Sequence, residues 1–136
     1  SCSPPNCTSG SLINNIITGY EVGIYGVGIT ITTVIDYNDV WGNLTADLSL
    51  PVEVTIGIHN ISVNPRFVNP TLGDYHLQNS APCVNAGDPA GVPPAPATDM
   101  DGNARPNTSR VDIGADEVLL NLSIKFFLPV MRRTVP

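Results

Sequence analysis

The chain has 136 residues, 13% of them charged, and its formal net charge of −6 corresponds to a sequence pI near 4.5. This length suits a single domain with a real hydrophobic core, and 12 glycines and 13 prolines predict many turns. The acidic balance excludes nucleic acid and anionic membrane surfaces as partners, because both require a basic face. No run of about eighteen apolar residues is present, so no membrane span is predicted.

Residues 1–10 form an arm rich in cysteine, proline and serine. Within it Cys2 and Cys7 are spaced to close a small loop, or one of them pairs with Cys83, and the spacing leaves the disulfide pairing open. The total of three cysteines leaves one thiol free or bonded between chains. Ser1, in place of an initiator methionine, indicates a processed or cut end.

Five Asn-x-Ser/Thr sequons are spread along the chain. They begin at Asn6, Asn43, Asn60, Asn107 and Asn121. Two interpretations stay open: glycan acceptors of a secreted protein, or turn and ladder residues of a β fold, which we favour.

Short β-strands are predicted from residue 11 onward, because β-branched residues are frequent and helix signals are rare. The predicted strand segments are 11–18, 21–27, 29–37 and 52–58, separated by glycine, proline and asparagine. Residues 14–19 resemble residues 36–43, since each places asparagine before an apolar pair and a closing glycine, about twenty-three residues apart. That period matches one rung of a β-solenoid, in which each coil buries its apolar face only against its neighbours.

In the second half of the chain the sequence predicts the surroundings of one histidine and two arginines. Tyr75 and Leu77 flank His76 in strand alternation, so His76 is predicted to face outward. Arg105 and Arg110 lie close in sequence to several aspartates, and we expect each guanidinium to pair with a carboxylate.

Residues 99–103 have the oxygen-ligand spacing of a calcium loop. Asp99, Asp101 and Asn103 supply the oxygens, and Gly102 permits a sharp turn. The pattern lacks the glutamate that closes such loops, and Arg105 puts a positive charge near a ligand position. We therefore favour a structural turn and keep a structural calcium site as the alternative.

Aromatic residues offer a further candidate site. Tyr20, Tyr25, Tyr37, Trp41 and Tyr75 could form a platform on which sugar rings stack. Core or stacking roles are favoured, because Tyr37 and Trp41 flank a predicted turn.

The tail, residues 119–136, is predicted to be an amphipathic strand that docks on another surface. Its polar face and end carry Lys125, Arg132 and Arg133, which are three of the six basic residues. With all twelve acids elsewhere, residues 1–124 carry 3 − 12 = −9 against +3 for the tail. Its apolar face consists of Leu120, Leu122, Ile124, Phe126, Leu128 and Val130. Such a strand covers its own core or that of a neighbouring subunit.

Several blocks resemble one protein class. Residues 14–17, 23–25 and 36–43 resemble the last coils of right-handed parallel β-helix proteins of the pectin-lyase-like superfamily. Residues 64–70, 73–77, 80–87, 99–106 and 110–117 are similar, in order, to the C-terminal module of secreted bacterial β-helix proteins often called choice-of-anchor proteins. Residues 126–132 resemble the C-terminal tails of many exported Chloroflexota proteins. The resemblance implies an all-β protein: a right-handed parallel β-helix of about three coils, a loop-rich C-terminal module and a terminal strand.

The same resemblance argues against catalysis. Pectate lyases of this fold combine calcium-binding acids with a basic proton acceptor, and polygalacturonases combine clustered aspartates with a histidine and a downstream Arg-x-Lys. Here Lys125 is the only lysine, and neither His59 nor His76 has such neighbours. Two pairs of acids, Asp36 with Asp39 and Asp112 with Asp116, would need opposed geometry and one raised pKa to cleave a glycosidic bond. We expect no enzyme activity and no cofactor beyond the calcium alternative.

Three segments and one function are therefore expected: an arm at 1–10, a β-helix domain with closing loops at 11–118, and a docking strand at 119–136. The first hypothesis is a secreted structural protein that self-associates, into a filament or surface array, by coil stacking and strand docking. The alternative is a carbohydrate-binding or cell-surface anchoring module of a larger β-helix protein, with a polysaccharide lyase remnant third.

Overall fold

The computed structural model describes residues 9–26, 32–51, 54–90, 97–106 and 110–120. Within these ranges the chain forms β-strands and a single 3-10 turn, Pro70–Leu72, and none of its helical structure is long enough to cross a membrane. The strands are β1 Ser9–Ile13, β2 Ile16–Ile17, β3 Val22–Tyr25, β4 Thr32–Asp36, β5 Asp39–Val40, β6 Ala46–Ser49, β7 Thr55–Ile56, β8 Phe67–Asn69 and β9 Asp74–Leu77.

Strands β1 to β7 pair in parallel and build three ladders. The first ladder runs β1, β4, β7, the second joins β2 to β5, and the third joins β3 to β6. Equivalent residues of the first two coils are 23 positions apart, as are Asn15 and Asn38. The strand pairs Ser9 with Thr32 and Ile16 with Asp39 have the same spacing. The all-β class and the predominance of parallel strands are confirmed. Within the described ranges the three ladders remain separate sheets and do not join into a closed helix.

The turn between the first and second ladders carries stacked asparagine amides. Nδ2 of Asn15 donates to Oδ1 of Asn38 at 2.9 Å, and Nδ2 of Asn38 donates to Oδ1 of Asn60 at 3.0 Å. Asn14 and Tyr37, one position before, have φ values of 61° and 55°, so the backbone bends at the same point of both coils. The amide stack specifies the register of the coils, because a slip of one residue would break each of these bonds.

The C-terminal module, meaning the described residues between 64 and 120, packs against the second ladder. The buried cluster consists of Leu77, Ala81, Cys83, Ile113 and Val118, and Ile16, Ile61, Phe67, Val84, Ala86 and Leu120 pack around it. Gly114 donates its backbone N–H to the carbonyl of Asn14 at 3.0 Å. The backbone of Gly87 lies close to Val111 and Asn14, since a Cβ at this position would lie 2.7 Å from Val111 Cγ2 and 2.9 Å from Asn14 Oδ1. The module and the ladder are therefore in direct contact.

Two arginines fasten the module internally, and only one uses a carboxylate. Arg105 places Nε 3.2 Å from Oε1 of the buried Glu117, and its other nitrogens donate to the carbonyls of Gly114 and Asp112. Arg110 instead donates to the carbonyls of Ala86 and Gly87 and lies over the Tyr37 ring. The predicted pairing with a carboxylate is thus present at Arg105. Arg110 differs, because its guanidinium donates hydrogen bonds to two backbone carbonyls of the turn at Ala86 and Gly87.

Candidate functional site

The first coil, made of β1, β2 and β3, is the outer member of all three ladders. Within the described part of the chain, no strand pairs with its outer edge. Asn15 begins the amide stack: its Nδ2 donates to the Ile13 carbonyl and to Asn38, while no described donor reaches its Oδ1. Gly10 and Ser11, on the edge strand, are exposed. An edge of this kind presents backbone N–H and C=O groups to a further strand.

The opposite end of the first ladder is also an edge. There β7 pairs with β4 alone among the described strands, and both of its residues are exposed. Ile56 is 43% exposed and Ile58, just beyond the strand, is 91% exposed. The two ends therefore present parallel strand edges, and the second end adds an apolar surface.

An aromatic groove lies between the ladders and the hairpin of β8 and β9. Its two adjoining parts, of about 560 Å³ and 500 Å³, share Thr18, Phe67 and Tyr75. Tyr20 and Trp41 line one part each, and Tyr20 is 63% exposed. Three of the five aromatics predicted as a platform thus meet here, namely Tyr20, Trp41 and Tyr75.

The other two predicted aromatics lie elsewhere. The Tyr37 ring stacks on His59 with centroids 4.3 Å apart, and Tyr25 is 69% exposed without lining either part of the groove. Sequence analysis missed Phe67, which meets Tyr75 edge to face with ring centroids 5.3 Å apart. Hairpin pairing brings these two rings together, and strand alternation around Phe67 is the signal that could have indicated it.

The predicted calcium ligands lie in a turn that hydrogen bonds to Asp99 close. Asp99 accepts the backbone N–H groups of Asp101 and Asn103 on Oδ1, and Nδ2 of Asn103 donates to its Oδ2 at 3.0 Å. Burial opposes ionisation of Asp99, but these bonds outweigh it and hold the pKa of Asp99 below its ordinary value. Since N–H donors engage both Asp99 oxygens, the arrangement is that of the structural turn. The Asp101 side chain leaves the turn and reaches His76.

Three of the four predicted acid-pair members are buried: Asp39, Asp112 and Asp116 are 0%, 2% and 6% exposed. Burial raises the pKa of Asp39 and that of Asp112 above the ordinary value. Asp112 accepts the backbone N–H groups of Asn85 and Val118. Both carboxylates lie inside the contact between ladder and module, away from the lining of the groove. They serve as internal acceptors for backbone donors.

Cys83 is a free, fully buried thiol, contrary to the alternative that pairs it with Cys2 or Cys7. Its Sγ donates to Oδ2 of Asp39 at 3.2 Å, and burial raises the pKa of the thiol, with the neighbouring Asp39 adding to the effect. The physical reason for the difference is that Cys83 is a core residue, enclosed by the apolar cluster. Cys2 and Cys7 lie outside the described residues.

Two of the sequon asparagines have structural roles. Nδ2 of Asn60 donates to the carbonyls of Ile35 and Gly57, and Nδ2 of Asn43 donates to Asp47 Oδ1 at 2.9 Å. A glycan would replace one of the two hydrogens on either nitrogen, and each nitrogen donates two bonds, so the geometry favours the ladder and turn interpretation at both. Asn6, Asn107 and Asn121 lie outside the described residues.

The predicted docking strand is described only at its beginning. Leu120 packs against the buried cluster and donates its backbone N–H to the Val118 carbonyl at 2.9 Å, while Leu119 is 52% exposed. The rest of the strand lies outside the described residues: Leu122, Ile124, Lys125, Phe126, Leu128, Val130, Arg132 and Arg133. The start of the predicted strand is thus part of the module's core.

Comparison of the chain with protein families, with curated proteins and with solved structures gave no match.

Proposed function

We infer that the chain is a secreted structural module, built as a short right-handed parallel β-helix of about three coils, that associates with copies of itself end to end. The observation that carries this function is the open first coil, whose β1, β2 and β3 are outer members of all three ladders in the described ranges. Ladder and module would form one subunit of an extracellular filament or surface array.

The partner we assign to this edge is the β7 end of a second copy. Parallel strands add at a spacing of about 4.8 Å, and the ladders already repeat one register from coil to coil. A β7 edge laid on β1 would extend the first ladder, while Asn60 would offer the next rung of the amide stack beside Asn15. Contact between two different ends is heterologous, so it continues into a polymer unless the rotation closes a ring.

A catalytic role is not part of this proposal. A general acid for glycosidic cleavage must reach the substrate oxygen, and the two described carboxyls with raised pKa, Asp39 and Asp112, are enclosed by protein. Their environment supports a structural function.

The test is the mass of the native particle, measured by light scattering and negative-stain microscopy. We expect oligomers whose mass rises with concentration for the unmodified chain. The double variant Gly10→Lys, Ser11→Lys adds charge to both faces of the edge strand and should reduce the particle to the 14.4 kDa monomer. Thr71→Lys with Leu72→Lys is the matched control, because both residues are exposed and lie away from the ladder ends.

A monomer at every concentration would overturn self-association, and so would edge and control variants with equal effects. The second candidate, a carbohydrate-binding or anchoring module, is favoured by the aromatic groove of Tyr20, Trp41, Phe67 and Tyr75. A monomer retarded by a polysaccharide in affinity electrophoresis would support that function.

A further inference from the structure

Three side chains from separate segments meet beside β9. They are His76 on the strand, Asp101 in the turn after Asp99, and Asp116 in the last described segment. Their candidate ligand atoms all lie within 4.8 Å of one another, and His76 Nε2 is 3.0 Å from Asp101 Oδ2. Adjacent ligands on a tetrahedral zinc ion are about 3.3 Å apart, from bond lengths of about 2.0 to 2.2 Å, so small side-chain shifts would suffice.

The imidazole is already oriented for ligation. Asp74 lies on the far side of the ring, with its Oδ1 2.6 Å from His76 Nδ1, and it also accepts the backbone N–H of His76 at 3.2 Å. A carboxylate on Nδ1 keeps the proton there and turns Nε2 toward the other ligands, which is how metal-binding histidines are commonly held. His76 was predicted to face outward, and its side chain is 40% exposed, so solvent reaches the ligand atoms.

Asp116 is an independent indication of a cation. It is 6% exposed, and its described hydrogen bond is a single one, from the backbone N–H of Leu77 to Oδ2 at 2.7 Å. A buried carboxylate needs a compensating positive charge. The three described arginines do not provide it, because Arg66 donates to the Ser80 carbonyl, Arg105 pairs with Glu117, and Arg110 donates to Ala86 and Gly87. The imidazole of His76 lies beside Asp116, with its ligand atom within 4.8 Å of the carboxylate.

We propose that His76 Nε2, Asp101 and Asp116 bind one zinc ion, with Asp74 as the residue that positions His76. An imidazole nitrogen with two carboxylates suits zinc, whereas calcium takes six to eight oxygen ligands. Three protein ligands leave a fourth position for water. The ion would link β9, the 99–104 turn and residues 110–120, and so stabilise the module as a structural metal does.

The test is zinc titration of the whole chain, prepared without an affinity tag and stripped of metal with a chelator. Cys2→Ser and Cys7→Ser are introduced as background, so that arm thiols cannot bind the ion. We expect one zinc per chain by calorimetry and elemental analysis, a rise in Tm with zinc chloride, and no such rise with the same concentration of calcium chloride.

Variants assign the ligands. His76→Gln and Asp101→Asn should each weaken zinc binding at least about 100-fold, and Asp74→Asn about 10- to 100-fold, because it only positions the ring. Asp116→Asn should also weaken zinc binding at least about 100-fold. If this variant of a buried residue does not fold, Asp101→Asn still tests the site, because Asp101 is exposed. His59→Gln is the matched control, since it removes a similar His–Asp contact, with Asp36 at 2.9 Å, to which the described part of the chain adds no third ligand.

Three outcomes would overturn the site. They are the absence of zinc binding, zinc binding that is unchanged in His76→Gln, and equal stabilisation by calcium. The result is independent of particle mass, so it stands or falls separately from self-association.

Discussion

At the scale of single residues, Asp39 is one of two described carboxyls, with Asp112, whose ionisation burial opposes at the contact of ladder and module. It is 0% exposed, and it accepts the backbone N–H of Val63 at 3.1 Å and the thiol of Cys83 at 3.2 Å. Burial raises the pKa of Asp39, and these hydrogen bonds compensate only in part. The residue joins β5 to the module through hydrogen bonds that favour the carboxylate, whereas burial favours the neutral carboxyl more strongly.

Asp39→Asn should therefore change how stability depends on pH. Because the folded pKa of Asp39 is raised, its contribution is complete below the ordinary value of 3.8 and is lost as the pH rises through the folded pKa. We expect the free energy of unfolding of the unmodified chain, relative to the variant, to fall from pH 3 to pH 8. The fall should be about 1.4 kcal/mol for each tenfold change in the acid constant. Urea unfolding followed by circular dichroism at each pH measures it.

Asp36→Asn is the control of opposite sign. Burial opposes ionisation of Asp36, but hydrogen bonds from His59 and Tyr37 outweigh it and hold its pKa below the ordinary value. Its contribution is therefore present above pH 3.8 and is lost as the pH falls through the folded pKa. Equal slopes for the Asp36 and Asp39 variants would contradict this account.

At the scale of elements, the stacked amides connect the first and second ladders. Asn38 is 0% exposed, and its Nδ2 donates to the carbonyls of Leu12 and Asp36 as well as to Asn60. Its Oδ1 accepts the backbone N–H of Asn15 at 3.0 Å. The second coil is thereby held to the first and to the third.

Asn38→Ala should destabilise the fold by about 3 kcal/mol or more, because several buried donors and acceptors lose their partners together. The free energy of unfolding in urea measures the loss. Asn79→Ala, at an exposed position, should change it by less than about 0.5 kcal/mol. A loss below about 1 kcal/mol for Asn38→Ala would show that water replaces the stack.

Strand positions followed the sequence patterns where the period was regular. The segments 21–27, 29–37 and 52–58 contain β3, β4 and β7, and the segment 11–18 contains β2 and overlaps β1, which begins earlier, at Ser9. Strand β5, Asp39–Val40, lies between Tyr37 and Trp41, where a turn was predicted, and β6 was missed. Strands β5 and β6 have two and four residues, which is too short for an alternating pattern to be recognised in the sequence. Their pairing with β2 and β3 stabilises them as strands.

At the scale of the whole molecule, the tail is the remaining candidate for assembly. Leu120 belongs to the cluster around Leu77 and Val118, so a deletion should begin after it. Removing residues 121–136 takes away Lys125, Arg132 and Arg133 and leaves a body with a formal charge of 3 − 12 = −9. Loss of the cationic strand should weaken contact between acidic bodies.

We expect the 121–136 deletion to lower the particle mass measured by light scattering while the Tm of the body stays the same. Asn121→Ala with Ser123→Ala is the control, because it changes only the predicted polar face. A lower Tm in an unchanged monomer would mean that the tail covers its own core, and would contradict a role in assembly.

The chain alone indicates the β class and the 23-residue recurrence, because these follow from local propensity and from asparagine repeating at one point of the coil. It also indicates that Arg105 pairs with a carboxylate, since the chain has six basic and twelve acidic residues. Only the tertiary structure places His76 beside Asp101 and Asp116, encloses Cys83 against Asp39, and joins Tyr20 and Tyr75 in one groove. These residues are tens of positions apart in the chain. Packing within the module brings together the first group, and packing of the module on the ladders brings together the other two.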